Sequence, residues 1–244
     1  MNHKKNKKFS PLKDRLNVIY EDDSIIVIDK APFILAQPVK DSNDQSVIEL
    51  IRLYWKSRNA KNQYLGIVHR LDKETSGLMV LAKSKIAHRT LHIQFSHHKV
   101  SKRYMAIVDN IPYQSKGRLT GSISRDQTGK RAITTDSPGK EAVTRYKTLQ
   151  IFAGKALLEL APETGRAHQI RLQLAHIRCP IVGEFVYTKS KQRVACFNRI
   201  ALHASKLTFL HPQTVKRISF ESPIPNDMQE LIDSLKQESD KKNT

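Results

Sequence analysis

Three stretches of this chain carry residues whose types and spacing suit chemistry. The first, residues 69–77, holds His69, Arg70, Asp72, Lys73, Glu74, Thr75 and Ser76, so an acid stands beside bases. It links two short apolar runs, one with Leu65, Ile67 and Val68, the other from Leu78 to Ala82. Short runs rich in β-branched residues and bounded by breakers predict strands. The link is then a connection on a rigid scaffold, where catalytic groups tend to sit, and Gly77 permits the backbone to re-enter the second strand. Composition alone would favour a solvated hairpin loop. The second stretch, residues 102–108, alternates as a strand does, with Tyr104, Ala106 and Val108 on one face and Arg103, Met105 and Ile107 on the other. A strand tyrosine is ordinarily a core ring with its hydroxyl satisfied. The third is Glu163-Thr164-Gly165-Arg166-Ala167-His168-Gln169-Ile170-Arg171. Thr164-Gly165 predicts a turn and helix start, and Ile170, Leu174 and Ile177 mark one helical face. Arg171 leaves that face by roughly 100°, so it is able to point into a cleft while Ile170 packs the core.

Other patterns carry less. His88 and His92 have the spacing of a helical zinc pair, but no glutamate lies between them and no third ligand is evident, so no metal is expected. Gly129-Lys130 and Gly139-Lys140 lack the upstream glycine of a phosphate loop. Cys179 and Cys196 form no disulfide framework or metal knuckle, which predicts a reducing, cytoplasmic setting. No long apolar segment predicts a membrane span, and residues 1–8 lack the apolar region of a secretory signal. The 42 Lys+Arg against 23 Asp+Glu give a net charge of +19, spread along the whole chain. Such a field attracts polyanions, nucleic acid first among them. A membrane surface is the competing polyanion, but no basic amphipathic helix stands out.

The positioning elements read as many strands and a few helices. Strands are expected at residues 16–20 and 25–29, at 118–123 and 131–135, at 143–151 and 156–161, and at 215–220. Helices are expected from Ser46, with Val47, Leu50, Ile51 and Tyr54 on one face, over residues 85–98, and from Asn226, with Gln229 placed for a capping box. Residues 1–15 form a basic tail, 16–236 a single domain and 237–244 a charged tail, with no internal repeat.

His69-Arg70-Leu71-Asp72, then Thr75-Ser76-Gly77-Leu78 and Ala82-Lys83, resembles the signature of the RluA-type pseudouridine synthase family. Thr164-Gly165-Arg166 with His168-Gln169-Ile170-Arg171 resembles its second strong motif. That motif usually continues glycine-histidine-proline-isoleucine-x-glycine-aspartate, where this chain has Arg178, Cys179 and Glu184 at the first, second and last places. Ala201-Leu202-His203-Ala204 resembles a third family segment. The family's opening lysine-proline-glycine is degraded: Lys30-Ala31-Pro32 has an intervening alanine and no following glycine. Asn110 stands where a glycine commonly ends the tyrosine strand. The resemblance spans residues 16–227. It implies an α+β fold, a mixed, mainly antiparallel central sheet flanked by helices and loops, with the RNA cleft across it. With fifteen residues before the first strand, the small N-terminal RNA-binding domain of some members is expected to be absent.

The implied activity is isomerisation of specific uridines in structured RNA, transfer RNA or 23S-type ribosomal RNA, by a monomer. The glycosidic bond breaks, the base turns, carbon replaces nitrogen in the bond to ribose, and a proton leaves that carbon. Nothing is oxidised or hydrolysed, so no cofactor is expected. An ionised carboxylate answers the positive charge that develops as the bond breaks, and the resemblance assigns it to Asp72. A carboxylate in a dry cleft stays ionised beside a cation, best the two-pronged fork of an arginine, which the resemblance places at Arg171. Tyr104 offers a ring face and a hydroxyl near the departing proton. Leu202 packs on the other side of the base, or is plain core. Arg166 meets phosphate, Thr75 contacts the substrate, and Arg70 fills the gap left by the extruded base. The alternative from another class is a noncatalytic RNA-binding or folding factor that keeps the fold; retention of both Asp72 and Tyr104 speaks against it.

Overall fold

The computed structural model of the chain describes residues 16–60, 63–125, 131–134, 139–188 and 197–242. The basic tail, Gly129-Lys130 and Cys196 lie outside them. In chain order the elements are β1 (Leu16–Glu21), β2 (Ile25–Lys30), α1 (Val47–Ser57), β3 (Gly66–Ile67), β4 (Ser76–Ala82), α2 (Lys85–Ser96), β5 (Ser101–Asp109), β6 (Lys116–Arg125), β7 (Arg131–Thr134), β8 (Lys140–Ile151), β9 (Lys155–Pro162), α3 (Gln169–His176), β10 (Leu202–Leu210), β11 (Arg217–Glu221) and α4 (Asn226–Lys242). The eleven strands make one sheet, ordered β1-β2-β4-β10-β5-β9-β8-β6-β7, with β3 also beside β4 and β11 also beside β10. Among the described pairings only β4 with β10 is parallel, so the sheet is mixed and mainly antiparallel, as the resemblance implies.

The unbroken apolar runs of β2 and β4 have a physical reason. One face, with Ile26, Ile28, Met79 and Leu81, packs against Val47, Leu50, Ile51 and Trp55 of α1. The other, with Ile25, Val27, Leu78 and Val80, packs against Ala87 and Leu91 of α2. Strands covered on both faces need no polar alternation, and each such side chain contributes roughly 1.5–3 kcal/mol by burial. Ser46 caps α1 in a capping box with Glu49. Beyond β5, the core is closed by Ile170 and Leu174 of α3 and by Met228, Leu231, Ile232 and Leu235 of α4.

Three local expectations are corrected. α3 begins at Gln169 and not at Thr164-Gly165, because His168 is in the left-handed region (φ 58°) and interrupts any earlier turn. α4 runs through Lys242, into the segment expected to be a charged tail. Gln229 makes no capping box; its amide donates to Asp233 at 3.0 Å.

One edge of β4 serves two partners, and this makes the site. Ser76 and Gly77 pair with His203 and Ala204 of β10, whereas Leu81 and Ala82 pair with β3. The chain between Ile67 and Ser76 must therefore leave the sheet edge, and this excursion carries Asp72. Gly77 is required here: its φ is +115°, and a Cβ would stand 2.3 Å from the Ala204 carbonyl oxygen.

Candidate active site

The Asp72 loop is fixed from below. Leu71 is buried with the α1 cluster and anchors the loop beside Asp72. The Thr75 amide donates to the Asp72 carbonyl at 3.1 Å, and the Phe33 amide to the Lys73 carbonyl at 2.7 Å. Lys30 is buried beneath and donates to the carbonyls of Ala31, Ile34 and Lys73 at 2.9, 3.0 and 3.2 Å. These use all three donors of an ammonium, although burial pushes the Lys30 pKa down to about 7 against the pull of Asp72. His69 fills the gap in the β4 edge between its two partners. Its Nε2 accepts the Val80 amide at 3.1 Å, its ring stacks on Phe95 at 4.5 Å, and burial, then Lys102, lowers its pKa to about 3. It is a neutral acceptor.

A cavity of about 640 Å³ opens in front of this loop, and all seven residues expected at the site line it: Arg70, Asp72, Thr75, Tyr104, Arg166, Arg171 and Leu202. The Arg171 Nη1 is 3.4 Å from Asp72 Oδ2, across 99 positions of sequence. The fork itself goes elsewhere. Arg171 Nε and Nη2 donate to the two oxygens of Glu184 at 2.6 and 3.0 Å, and the Glu184 side chain is fully buried. Burial works against the Arg171 charge, but Glu184 first and Asp72 second raise its pKa above the usual range. The two-pronged grip expected on Asp72 is therefore corrected to a single prong, because a buried guanidinium needs a fully buried counter-charge and Glu184 supplies it.

A histidine stands on the other side of Asp72. His168 Nε2 lies 3.7 Å from Asp72 Oδ1, and Nδ1 shares a hydrogen bond of 2.6 Å with the Tyr187 hydroxyl. Burial lowers the His168 pKa, with Asp72 opposing, so the ring is neutral at pH 7. The Tyr187 amide in turn donates to Glu184 at 3.3 Å. Glu184, Arg171, Asp72, His168 and Tyr187 thus form a closed circuit of polar contacts around one carboxylate.

The remaining expected residues sit as follows. Tyr104 faces the cavity half-buried; burial, then the Asp72 charge, raises its pKa, so the phenol keeps its proton. Leu202 is both core and cavity wall. The Thr75 hydroxyl is buried with no hydrogen-bond partner among the described residues. Arg70 is exposed at the rim. Arg166 uses Nε on the Glu141 carbonyl at 3.0 Å. Sequence reasoning missed Glu184, His168 and Tyr187 as site residues. A signal existed for the first two: Glu184 stands where an aspartate is usual, and His168 lies inside a motif. Nothing local marked Tyr187.

Among the described residues no three His, Cys, Asp or Glu side chains are grouped to hold a metal ion. His88 of the histidine pair instead bonds the Tyr64 hydroxyl at 2.5 Å and the Ile67 carbonyl at 3.1 Å. No described helix is long and apolar enough to cross a membrane.

Known proteins resemble this chain over most of its length. Residues 24–176 match the RNA pseudouridylate synthase family. The chain is 34% identical over 223 residues to the uncharacterized RNA pseudouridine synthase YlyB of Bacillus subtilis (strain 168), covering 91% of this chain and 73% of that one. It is 36% identical over 234 residues to the ribosomal large subunit pseudouridine synthase D of Pseudomonas aeruginosa, covering 91% and 72%. The structure of human RNA pseudouridylate synthase domain containing 4 superposes with a TM-score of 0.75 at 25% identity, covering 90% of this chain and 92% of that one. The family match over residues 24–176 and relatives 34–36% identical over 91% of the chain show that it belongs to the RNA pseudouridylate synthase family and is an isomerase that acts on RNA.

Proposed function

We propose that this enzyme isomerises uridines of large ribosomal RNA, with Asp72 as the essential carboxylate. The observation that carries the role of Asp72 is its position, 3.4 Å from the Arg171 Nη1 in a cavity that Tyr104 and Leu202 also line. Arg171 sets a positive charge beside Asp72, and Asp72 answers the positive charge that develops as the glycosidic bond breaks. The detached uracil turns between Tyr104 and Leu202, its carbon joins the ribose, and the proton departs on the Tyr104 side. Arg70 at the rim occupies the space vacated in the RNA stack. Thr75 lines the cavity that takes the substrate, and Arg166 binds phosphate. Ribosomal RNA is favoured over transfer RNA because several relatives bear the name ribosomal large subunit pseudouridine synthase D. We read the enzyme as a monomer, and the free buried Cys179 fits a reducing cytoplasm.

Tritium release from unmodified large ribosomal RNA labelled at uridine C5 tests both parts. The wild-type enzyme should release tritium, and Asp72→Asn should bind the RNA yet release none. Release by Asp72→Asn at the wild-type rate would remove Asp72 from the chemistry. Release from transfer RNA and not from ribosomal RNA would reassign the substrate.

A further inference from the structure

Beside the catalytic cavity lies a second one of about 560 Å³, and the two share the wall formed by Lys102, Thr164 and Arg166. Lys102 and Tyr104 are on the same face of β5, because side chains two apart in a strand point the same way. Lys102 Nζ donates to the Thr164 carbonyl at 3.1 Å, and it forms no ion pair among the described residues. The Arg166 guanidinium spends only Nε, on the Glu141 carbonyl. Its two terminal nitrogens make no hydrogen bond among the described residues. Burial, then the charge of Arg166, lowers the Lys102 pKa to about 8. Two cations that disfavour one another at a junction of two cavities, with donors to spare, call for an anion between them. The second cavity is itself basic. Lys99, Arg103, Arg118 and Arg145 line it against Glu141 and Glu163, and Glu163 is already held by Arg145 at 2.5 Å and Arg118 at 3.4 Å.

We propose that Lys102 and Arg166 form a subsite for the backbone phosphate adjoining the target uridine, and that the second cavity carries the RNA strand onward from it. The inference rests on the catalytic cavity being the seat of that uridine. It adds a cation, Lys102, and a direction for the strand.

The uridine trinucleotide UpUpU is the probe, with two analogues in which one or the other phosphate is a neutral methylphosphonate. Affinities are read by NMR chemical-shift titration of the full chain. A charge-assisted hydrogen bond is worth about 1.5–3 kcal/mol, so wild-type affinity should fall at least roughly tenfold for one analogue and little for the other. In Lys102→Met that selective loss should shrink by at least about fivefold, the remainder being carried by Arg166, while Lys102→Arg should retain it. Arg166→Met, at a less crowded position, should weaken the response to the same linkage, and it decides the matter should Lys102→Met fail to fold. Equal sensitivity in wild type and both methionine variants overturns the subsite, as does a wild type indifferent to both linkages. Tritium release separates the two readings: turnover without phosphate selectivity sinks only the subsite, and no turnover on any RNA sinks the function.

Discussion

Arg171 meets Asp72 with one nitrogen, Nη1 at 3.4 Å, while its other two nitrogens are spent on the buried Glu184. The guanidinium therefore acts as a bridge between a structural carboxylate and the one that faces the cavity. A lysine is a point charge and is unable to serve both with fixed geometry. Arg171→Lys should lower kcat by at least about 100-fold, an effect the size of losing one preorganised electrostatic partner. Glu184→Gln should also lower kcat and should destabilise the fold by roughly 3 kcal/mol, since it strands a buried cation. Kinetics with labelled RNA and thermal unfolding check both. An Arg171→Lys enzyme of normal kcat would mean that the bridge is dispensable.

The Tyr187 hydroxyl reaches Asp72 through His168, so it should matter by orientation. Tyr187→Phe removes the 2.6 Å bond to His168 Nδ1 and leaves the ring beneath Arg171. The variant should keep its affinity for RNA and lose about tenfold in kcat, a second-partner effect. An equal rise in KM with unchanged kcat would instead make Tyr187 a simple binding residue.

The neutral His69 sets a pH dependence of stability. Its folded pKa, about 3, lies below the ordinary 6.5, so between those values the unfolded chain holds a proton that the native chain lacks. Its contribution is complete above pH 6.5 and is lost as pH falls, with a slope of up to about 1.4 kcal/mol per pH unit. His69→Gln keeps an acceptor for the Val80 amide and does not titrate. Denaturant unfolding at pH 7.5 and 5 should show wild type losing more stability than the variant. Identical losses would mean that His69 is not neutral in the fold.

Three positions where the family resemblance leads one to expect glycine carry Phe33, Asn110 and Arg178, with φ of 66°, 71° and 60°. The backbone has kept the glycine conformation without the glycine. Such a conformation costs a residue with a Cβ about 1–2 kcal/mol, partly offset by the freedom glycine loses on folding. Phe33→Gly and Arg178→Gly should each raise stability by about 0.5–1 kcal/mol in urea melts. Asn110→Gly should not, because the Asn110 amide donates to the Arg178 carbonyl at 2.7 Å. Destabilisation by Phe33→Gly would show that its half-exposed ring contributes more than the strain removes.

Much of this was legible before any coordinates. The double-sided burial of β2 and β4 is written in Ile25-Ile26-Val27-Ile28 and in Leu78-Met79-Val80-Leu81, and Ser46 marks the start of α1. The seven site residues converge on one cavity because motifs far apart in sequence report on one location. What stayed hidden depends on closure in three dimensions. No spacing says that Glu184 outcompetes Asp72 for the Arg171 fork, since that is decided by which carboxylate is fully buried. The start of α3 was misplaced because a histidine in the left-handed region is a tertiary outcome, and propensity does not encode it. Tyr187 has no local mark at all; its partner is chosen by the turn that follows Gly183.

The divided edge of β4 also fixes the order of assembly. In the register of Gly66 with Ala82 and Ile67 with Leu81, a longer hairpin would bring Leu71 opposite Gly77 and leave Asp72 in a tight turn. In the folded chain β10, whose His203 bonds Ser76 across 127 positions, takes that stretch of the edge instead. A nascent chain has no β10 until most of its length has left the ribosome, and non-local strand pairing is slow. The Asp72 loop therefore takes its path beside a strand that comes late in the sequence, and a chain clipped before β10 should carry the whole signature motif without a formed cavity.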